Sequence, residues 1–206
     1  TDFIYLVLLG IGIGVFAELY SNYVLMMQNL GKKWYKNKFV LKMSICGLIL
    51  GSIYAFLPSS FHNLDELQKI IAEQNTNINI AILAVLVLFI TTGLAAASGA
   101  PGGLFYPMLT LGGAIGLIMG SWVEIVTGHA PSTFIFAGMG AFVAGCSRTP
   151  ITAMFLAFAL TKDLLIMKPV LICCITSFLI ARAFNDKSIY ERQIQIEIEE
   201  PKENIY

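Results

Sequence analysis

The chain has 206 residues, of which 57% are hydrophobic and only 13% charged, and its thirteen basic side chains balance thirteen acidic ones. A mean hydropathy of +0.76 is far too high for a water-soluble domain of this length, so the composition describes a polytopic all-α membrane protein. The zero net charge hides a segregation: no Asp, Glu, Lys or Arg occurs between Gln74 and Val123, while charges crowd the connections. No basic stripe with interleaved aromatics is present, which argues against a nucleic-acid partner. Cys46, Cys146, Cys173 and Cys174 lie in apolar segments without metal-ligand spacing and read as small core residues, so neither a metal nor a cofactor is expected.

The first apolar run, Phe3 to Leu30, exceeds the ~20 residues that cross a bilayer and predicts a steeply tilted helix. Gly10, Gly12 and Gly14 give it a smooth patch for close contact, and Glu18 interrupts it. An ionisable group inside a span is a functional candidate by default, although Glu18 equally suits a polar interior or a place near a surface. The run lacks a basic leader and a small-residue cleavage site and is no signal peptide; the start at Thr1, without Met, suggests a truncated or processed chain. Lys32, Lys33, Lys36, Lys38 and Lys42 place the connection 31–42 on the cytoplasmic side by the positive-inside rule, with Trp34 and Tyr35 at the interface. Phe39 to Leu57 forms the second span, with Gly47 and Gly51 in a GxxxG spacing that permits close packing, and Pro58 ends it. Between residues 59 and 79, Leu64, Leu67, Ile70 and Ile71 alternate with Asp65, Glu66, Lys69 and Glu73, the pattern of a short amphipathic helix on the outer face. His62 there lacks a second metal ligand and reads as exposed.

The third run, Ile78 to Ala97, breaks at Ser98-Gly-Ala-Pro-Gly-Gly103, and a fourth starts at Leu104 with Pro107 in its first turn. Proline is tolerated there because the first amides of a helix have no intrahelical partner. The free N–H groups of Gly103, Leu104 and Phe105 would then converge on one spot carrying roughly half a positive charge, which favours an anion. Such a break survives at membrane depth only where it is buried in protein or lines a cavity, and discontinuous helices of this kind face ions in transporters. The same residues also suit a loop joining two spans at the membrane surface. Gly112, Gly116 and Gly120 repeat every four residues and predict a groove for a neighbouring helix. Trp122 and Glu124 mark the end of this span, and Gly128 to Ser132 makes a turn. Phe134 to Gly145 is too short to cross; Cys146-Ser-Arg-Thr-Pro150 breaks it; Ile151 to Leu160 stops at Thr161-Lys-Asp163; Ile166 to Ala181 follows.

These segments carry a family resemblance. SGAPGGLFYPMLTLGGAIG is similar to the anion-binding signature of CLC chloride channels and chloride/proton antiporters, whose pattern is G-x-F-x-P. FAGMGAFVAGCSRTPITAMFLAFALTKDLLIMKPVLI resembles the helices that follow it in the family, with GMGA, the R-x-P break and the T-x-D ending in order. Lys187-Ser-Ile-Tyr190 resembles the start of the family's last helix. The resemblance implies one inverted-repeat half of a CLC fold of tilted, broken helices, with residues 1–190 as membrane domain and 191–206 as the end of the last helix and a polar cytoplasmic tail. It implies that the amides of Leu104 and Phe105 bind a central chloride, that Gly103 allows the approach, that Gly102 and Pro107 shape the turn, and that the Tyr190 hydroxyl reaches the same ion. Dipoles and neutral donors suit conduction, because an anion must bind and leave again. On position alone, Tyr190 also suits an interfacial aromatic belt.

The family's first half normally supplies a serine, a gating glutamate in G-R-E-x-P and, in antiporters, a proton glutamate. No G-x-E-x-P or G-S-G-x-P occurs here, and Glu18 and Glu124 do not fill those roles. Ala159 stands where the family often has an acidic residue. The resemblance therefore implies a voltage-gated chloride channel or a chloride/proton antiporter of the cell membrane and no enzyme, acting as a homodimer and requiring an N-terminal half. One alternative is a half-transporter fragment that conducts nothing alone. A remote one is an intramembrane serine protease built on Ser98 and His129, which the ~35 Å helix between them argues against. Arg192, Gln193, Gln195 and Glu197 to Glu203 read as a solvated helix end and tail, with Pro201 stopping any helix.

Overall fold

In hydrocarbon a backbone has no water to bond, so long apolar runs must satisfy their own N–H and C=O groups as helices. The computed structural model describes residues 2–34, 39–58, 61, 71, 78–99, 103–127 and 133–198. Among them α1 spans Asp2–Trp34, α2 Phe39–Ala55, α3 Ile78–Ser98 and α4 Phe105–Thr127. After these come α5 (Thr133–Ser147), α6 (Pro150–Thr161), a 3-10 turn at Leu164–Ile166, α7 (Met167–Phe184) and α8 (Ile189–Ile198). Four stretches, Phe3–Lys32, Ile78–Ser98, Phe105–Val126 and Leu164–Ile196, are long and apolar enough to cross a membrane. At ~1.5 Å per residue α1 is ~50 Å long, well beyond the ~30 Å hydrocarbon thickness, so it must tilt or project.

The centre of the molecule is α5. Phe134, Ile135 and every residue from Ala137 to Cys146 are buried, because α4, α7, α1 and α6 all pack on it. Close approach on the α4 side depends on missing side chains. A Cβ on Gly112 would run into the Gly138 carbonyl, one on Gly138 into the Gly112 carbonyl, and one on Gly116 into the Phe134 carbonyl. The predicted groove is thus occupied by α5, with Gly138 as its counterpart. On the other side Ser177 Oγ of α7 donates to the Ala141 carbonyl at 2.7 Å. Tyr20 of α1 meets the Phe142 ring edge-on at 5.5 Å.

The glycines of α1 divide. Gly10 and Gly14 receive α7, where an added Cβ would lie 2.8 Å from Thr176 Cβ and 2.8 Å from the Ser177 carbonyl, whereas Gly12 faces open space. The GxxxG of α2 also differs from expectation: Gly47 and Gly51 meet nothing within 4 Å, since α2 packs chiefly on α3 through its other face. Cys146, Cys173 and Cys174 are buried and Cys46 half-buried, all as free thiols. Large apolar side chains such as Leu48, Trp122, Ile125 and Leu179 stand on the outside, the arrangement of a protein whose solvent is lipid.

The breaks have local causes. Gly99 closes α3 at φ 75°, the left-handed conformation glycine adopts without steric cost. Arg148 (φ 63°) and Lys162 (φ 55°) take the same conformation at the α5–α6 break and after α6. Thr149 precedes Pro150, which sits in the first turn of α6, and Asp163 Oδ1 accepts from the Leu165 N–H at 2.9 Å to start the 3-10 turn. The expected surface helix within 59–79, with His62, and the turn at 128–132, with His129, lie outside the described residues, as do Tyr35, Lys36 and Lys38. Within that stretch Phe61 and Ile71 are described and buried in the core, and Ile78 and Asn79 belong to the start of α3.

Candidate functional site

The first helical hydrogen bond of α4 runs from the Met108 N–H to the Leu104 carbonyl at 3.1 Å. Everything before it lacks an intrahelical acceptor: the N–H groups of Leu104, Phe105 and Tyr106, followed by Pro107, which has none to satisfy. These amides make no hydrogen bond to another described residue. Pro107 is buried, as are Met108, Leu109 and Thr110 behind it, so the turn is anchored from its far side. Ahead of it, no described residue lies within 4 Å of where a Cβ on Gly103 would stand. Anchored backbone, amides without an acceptor among the described residues and the positive end of a 23-residue helix are features that favour a nearby negative charge. Gly102 lies outside the described residues.

Tyr190 occupies the first turn of α8. Its helix is started by a capping box that sequence reading passed over, although Ser188-Ile-Tyr-Glu191 spells it. The Ser188 N–H donates to Glu191 Oε2 at 2.7 Å, and the Glu191 N–H donates to Ser188 Oγ at 3.2 Å. Ile189 is fully buried, while Tyr190 is 39% exposed and lies within electrostatic range of Cys146 and Tyr20. The helix start and the tyrosine are therefore held on separate elements: α8 rests on α1 and α5, and α4 packs on α5 and α3 and touches α1. No hydrogen bond joins Tyr190 to residues 103–105.

A charge cluster lies under α8. Glu18 is 5% exposed and accepts from two arginines: Arg148 Nη2 to its Oε2 at 2.7 Å, and Arg192 Nη1 to its Oε1 at 2.9 Å. Arg148 also donates to the carbonyls of Gly145, Ala181 at 3.0 Å and Asn185 at 2.9 Å. Arg192 also donates to Asn22 Oδ1 at 2.8 Å. The alternatives left open for Glu18 are thus resolved in favour of a polar interior. The solvated placement of Arg192 is overturned: at 9% exposure it is buried, because the carboxylate on α1 replaces water around its guanidinium. The signal was in the spacing, since Ile189, Arg192 and Ile196 fall at i, i+3 and i+7 on one helix face. An arginine on an apolar face needs a buried acid, and Glu18 is the acid of the first span.

The protease arrangement finds no support in the serine, whose hydroxyl donates to the Ala95 carbonyl at 2.7 Å; His129 lies outside the described residues. The profile of the voltage gated chloride channel family matches residues 1–182. The chain belongs to that family. Among curated relatives it is 29% identical over 191 residues to the H(+)/Cl(-) exchange transporter ClcA of Vibrio parahaemolyticus, covering 90% of this chain and 41% of the relative. It is 30% identical over 201 residues to ClcA of Klebsiella pneumoniae, covering 95% and 42%. In fold, it matches a slow cyanobacterial Cl-/H+ antiporter with a TM-score of 0.83 at 24% identity, over 95% of this chain and 47% of that one. A eukaryotic CLC transporter matches with a TM-score of 0.79 at 22% identity, over 96% and 35%. The chain thus spans less than half the length of these relatives, as expected for one part of a CLC fold.

Proposed function

We propose that this chain is the anion-coordinating second half of a CLC chloride transporter. Chloride binds at the start of α4 through the amides of Leu104 and Phe105, approaches across the bare backbone of Gly103, and receives the Tyr190 hydroxyl from the start of α8; Gly102 and Pro107 shape the turn. The observation that carries this reading is the set of amides ahead of Met108 that find no acceptor among the described residues, on a turn anchored by buried Pro107. Membership of the family and similarity to H(+)/Cl(-) exchangers support chloride as cargo, with protons as counter-cargo. The reading includes a missing N-terminal half that brings the gating residues, a homodimer, a cytoplasmic 31–42 connection and a cytoplasmic tail after α8. Its test is chloride titration by calorimetry on the full-length gene product in detergent. Replacing Tyr190 with Phe removes one hydrogen bond to an ion, about 1.5 kcal/mol or roughly tenfold in affinity, while leaving the elution profile unchanged. Unaltered chloride affinity would remove Tyr190 from the site.

A second reading, a half-transporter that conducts nothing alone, is favoured by the extent of the match to relatives. The two separate in liposomes reconstituted with the native gene product: under the first reading it carries both halves and gives chloride efflux by itself, and under the second it gives none above empty vesicles until a partner half is supplied.

A further inference from the structure

The buried cluster of Glu18, Arg148 and Arg192 has no part in the reading above, and it brackets Tyr190. Arg148 holds the Asn185 carbonyl, just before the turn into α8, at 2.9 Å. Arg192, inside the first turns of α8, holds Glu18 at 2.9 Å. The same carboxylate receives Arg148 at 2.7 Å, so one acid on α1 ties down the chain on both sides of the tyrosine. The other ties include the buried Ile189, the Arg192 bond to Asn22 at 2.8 Å and a Gln193 to Gln28 contact at 3.5 Å, on a ten-residue helix that exposes Ile194 and Ile198. Ile189 and Arg192 share its buried face, so both anchor the rotation of α8 about its axis, on which the direction of Tyr190 depends.

We infer that Arg192 is a positioning residue for the anion site, acting through Glu18 to aim the Tyr190 hydroxyl. The inference rests on the assignment of Tyr190 to the anion. Three charges in the cluster, two positive and one negative, allow a gentle probe, because Arg192→Leu leaves Glu18 and Arg148 as a balanced pair and retains an apolar stem on the buried face. A general electrostatic pull of the surplus guanidinium on chloride would act whether or not the hydroxyl is present; positioning acts only through it.

The test is a double-mutant cycle read as chloride affinity by calorimetry on the full-length product, with gel filtration as the folding control. Arg192→Leu should weaken chloride binding about fivefold, Arg192→Lys should recover part of that loss, and Arg192→Leu added to Tyr190→Phe should weaken binding by no more than about twofold beyond Tyr190→Phe alone. If Arg192→Leu does not elute as a single species, Arg192→Gln, polar and uncharged, takes its place with the same expectations. An unchanged affinity in the single arginine variant, or the full loss repeated in the Tyr190→Phe background, overturns the inference while leaving the tyrosine in its site. An unchanged affinity in Tyr190→Phe alone overturns both.

Discussion

At the scale of single residues, Glu18 is the acid on which the buried charge cluster depends. It pairs with two guanidinium groups whose side chains are 7% and 10% exposed, and a buried charge left without its partner costs about 3–5 kcal/mol. Glu18→Gln keeps the shape and removes the charge, and should lower the midpoint of thermal unfolding, followed by gel filtration after heating, far more than Arg192→Leu does. Equal losses for the two variants would mean that the balance of charge is not what holds the cluster. Glu18 was conspicuous in the sequence as an acid inside a span, but its role was not legible, because its partners lie 130 and 174 positions away. Arg192 was misplaced for a related reason. Its neighbours Gln193, Gln195 and Glu197 make the local composition polar, and composition outvoted a spacing that put Arg192 on the face of Ile189 and Ile196.

At the scale of elements, the crossing of α4 and α5 decides whether the α4 start is held in place. Backbone meets backbone at Gly112, Gly116 and Gly138, and two rigid helices cannot separate at one point without opening the whole contact. Gly112→Val should therefore abolish the monodisperse gel-filtration peak, whereas Gly12→Ala, entering open space, should elute as the parent does. A folded Gly112→Val would show that the crossing tolerates a wider separation. The four-residue glycine repeat made this groove readable in advance. The similar GxxxG at Gly47 and Gly51 read the same way, yet α2 turns it away from the described residues, because a small-residue spacing marks a possible contact without naming its partner. Helix ends were more legible than helix contacts: Pro107, Gly99 and Pro150 each act on their own backbone within a few residues, whereas the Ser188 cap went unread.

At the scale of the whole molecule, α5 is packed on by α1, α4, α6 and α7, and the two groups proposed for the anion, the α4 amides and the α8 tyrosine, come from different elements. The four-motif order in the sequence made the family and the fold visible; the distance between these two groups was not visible, since it depends on how α1 and α5 stack. The account stands on the α4 amides as the seat of the ion. Bromide replaces chloride and scatters anomalously, so crystals of the full-length product grown in bromide locate the ion without any assumption about transport. An anomalous peak within hydrogen-bond reach of the Leu104 and Phe105 amides, and of the Tyr190 hydroxyl, is the predicted result. A peak elsewhere in the membrane domain, with none at the start of α4, would contradict it.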